Sequence, residues 1–238
     1  MKRSFAVPIF LMKFLAFSLA VSLTAIYMGG AVTKTVSSFY VERAPIKTVV
    51  DAGHGGRDGG AVADDGTLEK DLNLALASSV AEILKIMGAD VVMTRDGDVM
   101  YAAENSPHKK LDDLNYRIEK AKSAGDCVFV SIHMNKFPVA KYSGLQVYYS
   151  PVNEESKAVA EAVQSAVKAY IQPENDRAVK KSDSSIYLLQ NLSCPAVLVE
   201  CGFLSNPAEL EKLKDEKYRD SLAAVIAVSV MEYVSSKQ

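Results

Sequence analysis

Residues 49–62 read VVDAGHGGRDGGAV, a β-branched run that ends in a carboxylate and opens into glycines around one histidine, His54. A short apolar run closed by such a loop reads as a core strand, Lys47–Asp51, delivering its last residues to one edge of a sheet. From Glu69 to Met87 the apolar residues Leu72, Leu76, Val80, Ile83 and Met87 recur at helical spacing, and Gly88 stops the pattern. Strands are expected at Asp90–Thr94, Cys127–His133, Leu145–Tyr149, Ile186–Leu189 and Ala196–Glu200. Helices are expected around Leu111–Ala124 and Glu154–Ile171, with two more after Asn206. This alternation predicts a single α/β domain on a largely parallel sheet. The polar stretch Gln172–Ser185 is long enough to be a functional loop.

Composition narrows the class. Residues 14–33, FLAFSLAVSLTAIYMGGAVT, carry no charge and follow a basic start, which fits a secretory signal or a membrane anchor; their length tilts the reading toward an uncleaved anchor. Residues 1–33 are therefore set apart as a signal peptide or anchor, 34–45 as a linker and 46–238 as the catalytic domain. Setting 1–33 aside removes three of the 27 basic residues and none of the 29 acidic ones, leaving a net charge of −5. Nucleic acid is not an expected partner. The three cysteines read as small buried thiols, since Cys194 and Cys201 lie roughly 23 Å apart if the strand between them is extended. Cys201 has no CxxC companion that would make it a metal ligand.

Four polar side chains then demand an explanation. The chain has three histidines, and two fall in its most distinctive stretches: His54 in the glycine loop and His133 at the end of VFVSIH. Glu200 ends the run AVLVE, so it too lies at a strand's carboxyl end, where open parallel sheets place their ligands. Glu69 precedes Leu72 by three and Leu76 by seven, which extends the core-facing stripe of its helix. An ionised carboxylate on such a stripe is unfavourable without a positive partner, and a metal is the strongest available one. Two imidazoles and one carboxylate, with water in the fourth position, make an open catalytic zinc site. Glu200 is then the candidate proton acceptor. Taken one at a time, either histidine is as readily a structural residue, Glu69 a solvated helix-start acid and Glu200 the partner of Arg95. His108 sits in a polar loop and reads as solvent-exposed.

The glycines also invite a dinucleotide-binding reading, which the spacing opposes. That fingerprint needs a helix beginning at the glycines, whereas here the apolar period starts some ten residues later. The glycines more simply let backbone crowd past His54 toward a bulky substrate.

VVDAGHGGRDGGAV with Glu69, VVMTRDGD (91–98), VSIHMN (130–135) and AVLVECGFLSNPAE (196–209), in this order, resemble the zinc-dependent N-acetylmuramoyl-L-alanine amidases of bacterial cell-wall metabolism. The resemblance runs from about Thr48 to Val234. It implies a twisted six-stranded sheet flanked by helices, and cleavage of the amide between the lactyl group of N-acetylmuramic acid and L-alanine in peptidoglycan. It places the zinc ligands on His54, Glu69 and His133 and the catalytic glutamate on Glu200. Ala52 stands where the family often has proline, and Met134 where it has a small residue, which puts substrate preference in question. Only 66 residues separate His133 from Glu200, too few for the autoinhibitory helical insertion of some members. A compact domain behind one hydrophobic segment is similar to the germination-specific branch of spore formers, which helps make muramic-δ-lactam in the cortex. That branch implies export to the outer membrane face, cell wall or forespore intermembrane space, and leaves room for an activating protein partner. A vegetative autolysin, a zinc peptidase on the stem peptide and a non-catalytic wall-binding module are the alternatives. Arg57 and Arg95 are candidates for the peptide's carboxylates, with Arg95 read as a structural ion pair.

Overall fold

The computed structural model describes residues 46–237, so the expected export segment and linker lie outside the described residues. Six strands form one sheet: β1 (Lys47–Ala52), β2 (Val91–Met93), β3 (Cys127–Asn135), β4 (Gln146–Tyr149), β5 (Lys180–Lys181) and β6 (Ala196–Phe203). Their order is β2-β1-β3-β6-β4-β5. The first four in that order run parallel, β4 is antiparallel to β6, and β5 follows β4. Six helices are described: α1 (Glu69–Ile86), α2 (Lys109–Ala124), α3 (Ser156–Tyr170), α4 (Tyr187–Asn191), α5 (Pro207–Lys214) and α6 (Glu216–Ser235). None is long and apolar enough to cross a membrane.

Strand alternation divides the core in two. Val50 and Ala52, Val128, Val130 and Ile132, and Val197 and Val199 point to one face, where the stripes of α1, α3 and α6 cover them. Val49, Phe129 and Leu198 point to the other, under α2 and α4. Because successive side chains alternate, Asp51, Ser131, His133 and Glu200 share this second face. The α1 stripe starts as expected with buried Glu69, Leu72, Leu76 and Val80, then passes to Leu84, leaving Met87 exposed.

One expected strand is a helix. Tyr187–Leu189 falls in α4 and Ile186 precedes its first turn; Leu188, Leu189 and the following Leu192 are buried, and Asn191 Nδ2 donates to the Tyr187 carbonyl four residues back. A four-residue apolar run does not distinguish strand from buried helix. The sixth strand is instead the exposed pair Lys180–Lys181, inside the segment expected to be a loop. It is a short edge strand with no apolar alternation to reveal it, and lysine suits such an edge because it discourages further pairing. The three cysteines are free, with Cys127 and Cys201 buried and Cys194 only half-buried, a small departure from the expectation of three buried thiols.

Candidate metal centre

The glycine loop delivers His54 in a left-handed conformation, φ 62°, uncommon for a residue with a Cβ. Two buried arginines hold the chain there. Arg117 donates to the carbonyls of Ala52 and His54, both at 2.7 Å, and to Asp51 Oδ1 at 2.7 Å and Asp113 Oδ2 at 2.8 Å. Arg95 donates to the carbonyls of Ala52, Gly53 and Lys70 at 2.8–2.9 Å. Arg95 is therefore structural and does not face Glu200. Burial raises the Asp51 carboxyl, but Arg117, Ser131 and Thr94 outweigh it and hold the group below the usual carboxylate range.

Three of the four predicted side chains meet at one point. Glu69, the first residue of α1, turns its carboxylate inward: Oε2 lies 3.2 Å from His54 Nε2, and Oε1 lies 2.9 Å from His133 Nδ1. The two imidazoles are 4.9 Å apart between ring centres. One donor atom from each of His54, Glu69 and His133 lies within 4.8 Å of the others, a cluster able to hold a metal ion. The carboxylate is pre-oriented by the amides of Ala61 at 2.8 Å and Met134 at 3.2 Å and by Asn73 Nδ2 at 3.3 Å. Asp58 Oδ2 lies 2.9 Å from His54 Nδ1, at ion-pair distance but outside hydrogen-bond geometry, while Nε2 faces the cluster. Burial would lower the His54 imidazole, yet Asp58 and Glu69 lift it to about 9; burial would raise Glu69, yet His133 and His54 hold it well below the usual range. The pocket is thus built to keep positive charge against Glu69.

The glycines pack against these side chains. A Cβ on Gly53 would lie 2.2 Å from His133 Nε2, and one on Gly60 would lie 2.5 Å from Glu69 Oε2 and 2.7 Å from His54 Cδ2. At these two positions the imidazoles and carboxylate occupy the space where methyl groups would stand, whereas Gly55 and Gly56 meet the Val99–Met100 backbone and Arg95.

Glu200 lies across from the cluster. It sits in the middle of β6, directly paired with His133 on β3, and the register shifts just beyond that pair. Burial pushes its carboxyl up to about 7, and its Oε2 is buried with no hydrogen-bond partner. Beside His54, His133 and Glu200 opens a cavity of about 210 Å³, walled by Leu114, Ile186, Tyr187, Leu188 and Leu198. Arg57 is exposed, and Cys201 is buried outside the cluster. Sequence reasoning missed Arg117, although the signal was the one that found Glu69: a charge on a core-facing stripe, here with Leu114, Ile118 and Ala121.

An α/β sheet that gathers two histidines and a buried glutamate at the carboxyl end of its strands, beside a partnerless carboxylate, is what a metal-assisted hydrolase requires. The chain belongs to the N-acetylmuramoyl-L-alanine amidase family, which matches residues 48–232, and is an amidase of peptidoglycan. It is 37% identical over 191 residues to the germination-specific N-acetylmuramoyl-L-alanine amidase of Bacillus subtilis, covering 79% of each chain. The CwlD amidase of Clostridioides difficile, solved in complex with the GerS lipoprotein, superposes with a TM-score of 0.77 at 37% identity, over 80% of this chain and 99% of that one. A second N-acetylmuramoyl-L-alanine amidase, from Clostridium difficile 630, gives 0.72 at 33% identity, over 82% and 100%.

Proposed function

We propose that His54, Glu69 and His133 hold a zinc ion, that Glu200 moves the proton, and that the bond cleaved is the lactyl–L-alanine amide of spore-cortex peptidoglycan. The observation that carries this is the His–Glu–His cluster facing Glu200 across the β3–β6 pair. The donors fit zinc: imidazole nitrogens and a carboxylate oxygen, with three protein ligands leaving a position open. The buried, partnerless Glu200 Oε2 fits a base that awaits a proton.

Zinc bound there supplies Lewis acidity, polarising the scissile carbonyl and easing the ionisation of water. The chain's own residues do the rest. Asp58 sets a negative charge beside His54 Nδ1, while Ala61, Met134 and Asn73 hold Glu69 rigid, so the ligand set is ready before substrate arrives. Glu200 takes a proton from the attacking water on its carboxylate and passes it to the departing alanine nitrogen. A carboxyl poised near neutrality can both accept and return that proton. The apolar wall of Leu114, Leu188 and Leu198 limits water around the carboxylate.

Similarity to the germination-specific amidase of Bacillus subtilis supports the cortex role, in which amide cleavage precedes muramic-δ-lactam formation. Similarity to the CwlD amidase solved in complex with a lipoprotein supports a lipoprotein as the activating partner. Residues 46–238 are the catalytic domain in this reading, 34–45 a linker, and 1–33 carry the chain out of the cytoplasm as signal or anchor. Chelation is expected to abolish release of stem peptides from purified peptidoglycan, and added zinc to restore it. Activity that survives complete metal removal would overturn the zinc assignment. Spores made without this chain should lack muramic-δ-lactam, and a normal lactam content would overturn the cortex role.

A further inference from the structure

A second cleft of about 290 Å³ opens beside the ends of β3 and β6, at Asn135 and Phe203, and its chemistry differs from the first. Four aromatic rings, Phe137, Tyr142, Tyr148 and Phe203, line it together with Arg177 and Lys180. The rings form one platform: Phe137 meets Tyr142 edge-on at 5.0 Å, Tyr142 lies 6.4 Å from Phe203, and the Arg177 guanidinium sits 4.9 Å above Phe203. Neither cation has a carboxylate within ion-pair distance among the described residues, although this is an acidic chain. Arg177 is positioned by neutral groups instead, donating from Nε to the Ser143 carbonyl at 2.8 Å and reaching Gln146 Oε1 at 3.5 Å.

Register connects this cleft to the reaction centre. Gln146 on β4 pairs directly with Glu200 on β6, so their side chains stand on the same face roughly 5 Å apart at Cβ. Tyr148, two residues along that face, has its phenol raised first by burial and then by the charge of Glu200, with Arg177 opposing. Arg177 thus reaches Gln146, the strand partner of Glu200, and does not line the first cavity. A bond placed at Glu200 must send the two halves of its substrate to either side. The acyl half is a sugar whose one carboxyl group is consumed in the amide, whereas the amine half is a peptide with free carboxylates.

We infer that the Arg177–Lys180 cleft binds the stem peptide through a carboxylate beyond the scissile L-alanine, and so sets the preference for acidic over amidated peptidoglycan; this rests on the amidase reading. A guanidinium with no ion-pair partner, held by neutral acceptors through Nε and Nη1 over an aromatic face, has Nη2 left to meet a carboxylate. Arg57 and Arg95, the arginines to which sequence alone points, do not line this cleft.

The test uses the full chain loaded with zinc and two synthetic substrates: N-acetylmuramoyl-L-alanyl-D-glutamate with its carboxylates free, and the same molecule with both amidated. The unmutated enzyme is expected to prefer the acid by roughly tenfold or more in kcat/KM. Arg177→Ala and the exposed Lys180→Ala should reduce that preference, lowering turnover of the acid by severalfold more than turnover of the amide. Equal turnover of the two substrates by the unmutated enzyme overturns the subsite alone. An equal loss on both substrates in each variant also overturns it, because a merely structural role of these residues would act on both alike. Cleavage of neither substrate by the unmutated enzyme removes the amidase reading beneath it.

Discussion

At the residue scale, the division of work among four side chains makes opposite demands on two glutamates. Glu69 is held ionised by two imidazoles and three hydrogen-bond donors, whereas Glu200 is buried with one oxygen that nothing satisfies. Replacing each should therefore fail differently. Glu200→Gln should keep its zinc, by metal analysis, while kcat falls by about 10²–10⁴. Gly53→Ala should do the reverse and lose metal first, because its methyl would overlap the His133 ring, 2.2 Å from Nε2. A Gly53→Ala protein with one full zinc per chain would show that the ring has room to move. Glu69, His133 and Glu200 drew notice in the sequence because each is a polar side chain where an apolar pattern predicts core, and His54 because it stands alone among glycines after a core strand. The tight packing of Gly53 and Gly60 was not legible, since the contacts join residues far apart in the chain.

At the scale of elements, α1 and α2 bring charge into the sheet's end from opposite faces, and each does it from a core-facing stripe. The α2 charge, Arg117, ties Asp51, Asp113 and two loop carbonyls together. Arg117→Met should cost about 3–5 kcal/mol by leaving buried carboxylates without their cation, measured as a shift in urea unfolding. The pH dependence follows from Asp51, whose folded-state pKa is depressed. Its contribution is complete above the unfolded carboxylate range near 4 and is lost as pH falls through the lower folded value. In Arg117→Met the same carboxylate is uncompensated, so the deficit relative to the unmutated chain should be widest at neutral pH and narrow on acidification. A deficit that stays constant from pH 7 to 3 would remove Asp51 from the explanation. Element identities were mostly legible, because the long helices and the parallel strands each repeat one period many times. The two failures, Ile186–Leu189 and Lys180–Lys181, are segments too short to show a period, and tertiary packing decides both.

At the scale of the whole molecule, the cavity under α4 includes Glu200 and a leucine-rich wall, while a separate aromatic, cationic cleft includes Tyr148, two residues from the Gln146 that pairs with Glu200. That asymmetry suits a substrate that is a sugar on one side of its scissile bond and an acidic peptide on the other. The parallel core and the place of the reaction centre could be read from strand order and the carboxyl-end rule. The reversed β4, which sets Gln146 beside Glu200 and carries Tyr148 to the second cleft, could not, because strand direction leaves no mark on a four-residue pattern. The central claim is that the zinc-loaded chain breaks the lactyl–L-alanine amide with Glu200 as its proton carrier. Mass spectrometry of purified peptidoglycan after digestion tests this directly. Intact stem peptides with new L-alanine amines, formed by the unmutated chain and not by Glu200→Gln, are the predicted result; new termini inside the stem peptide, or none from a fully zinc-loaded protein, would contradict it.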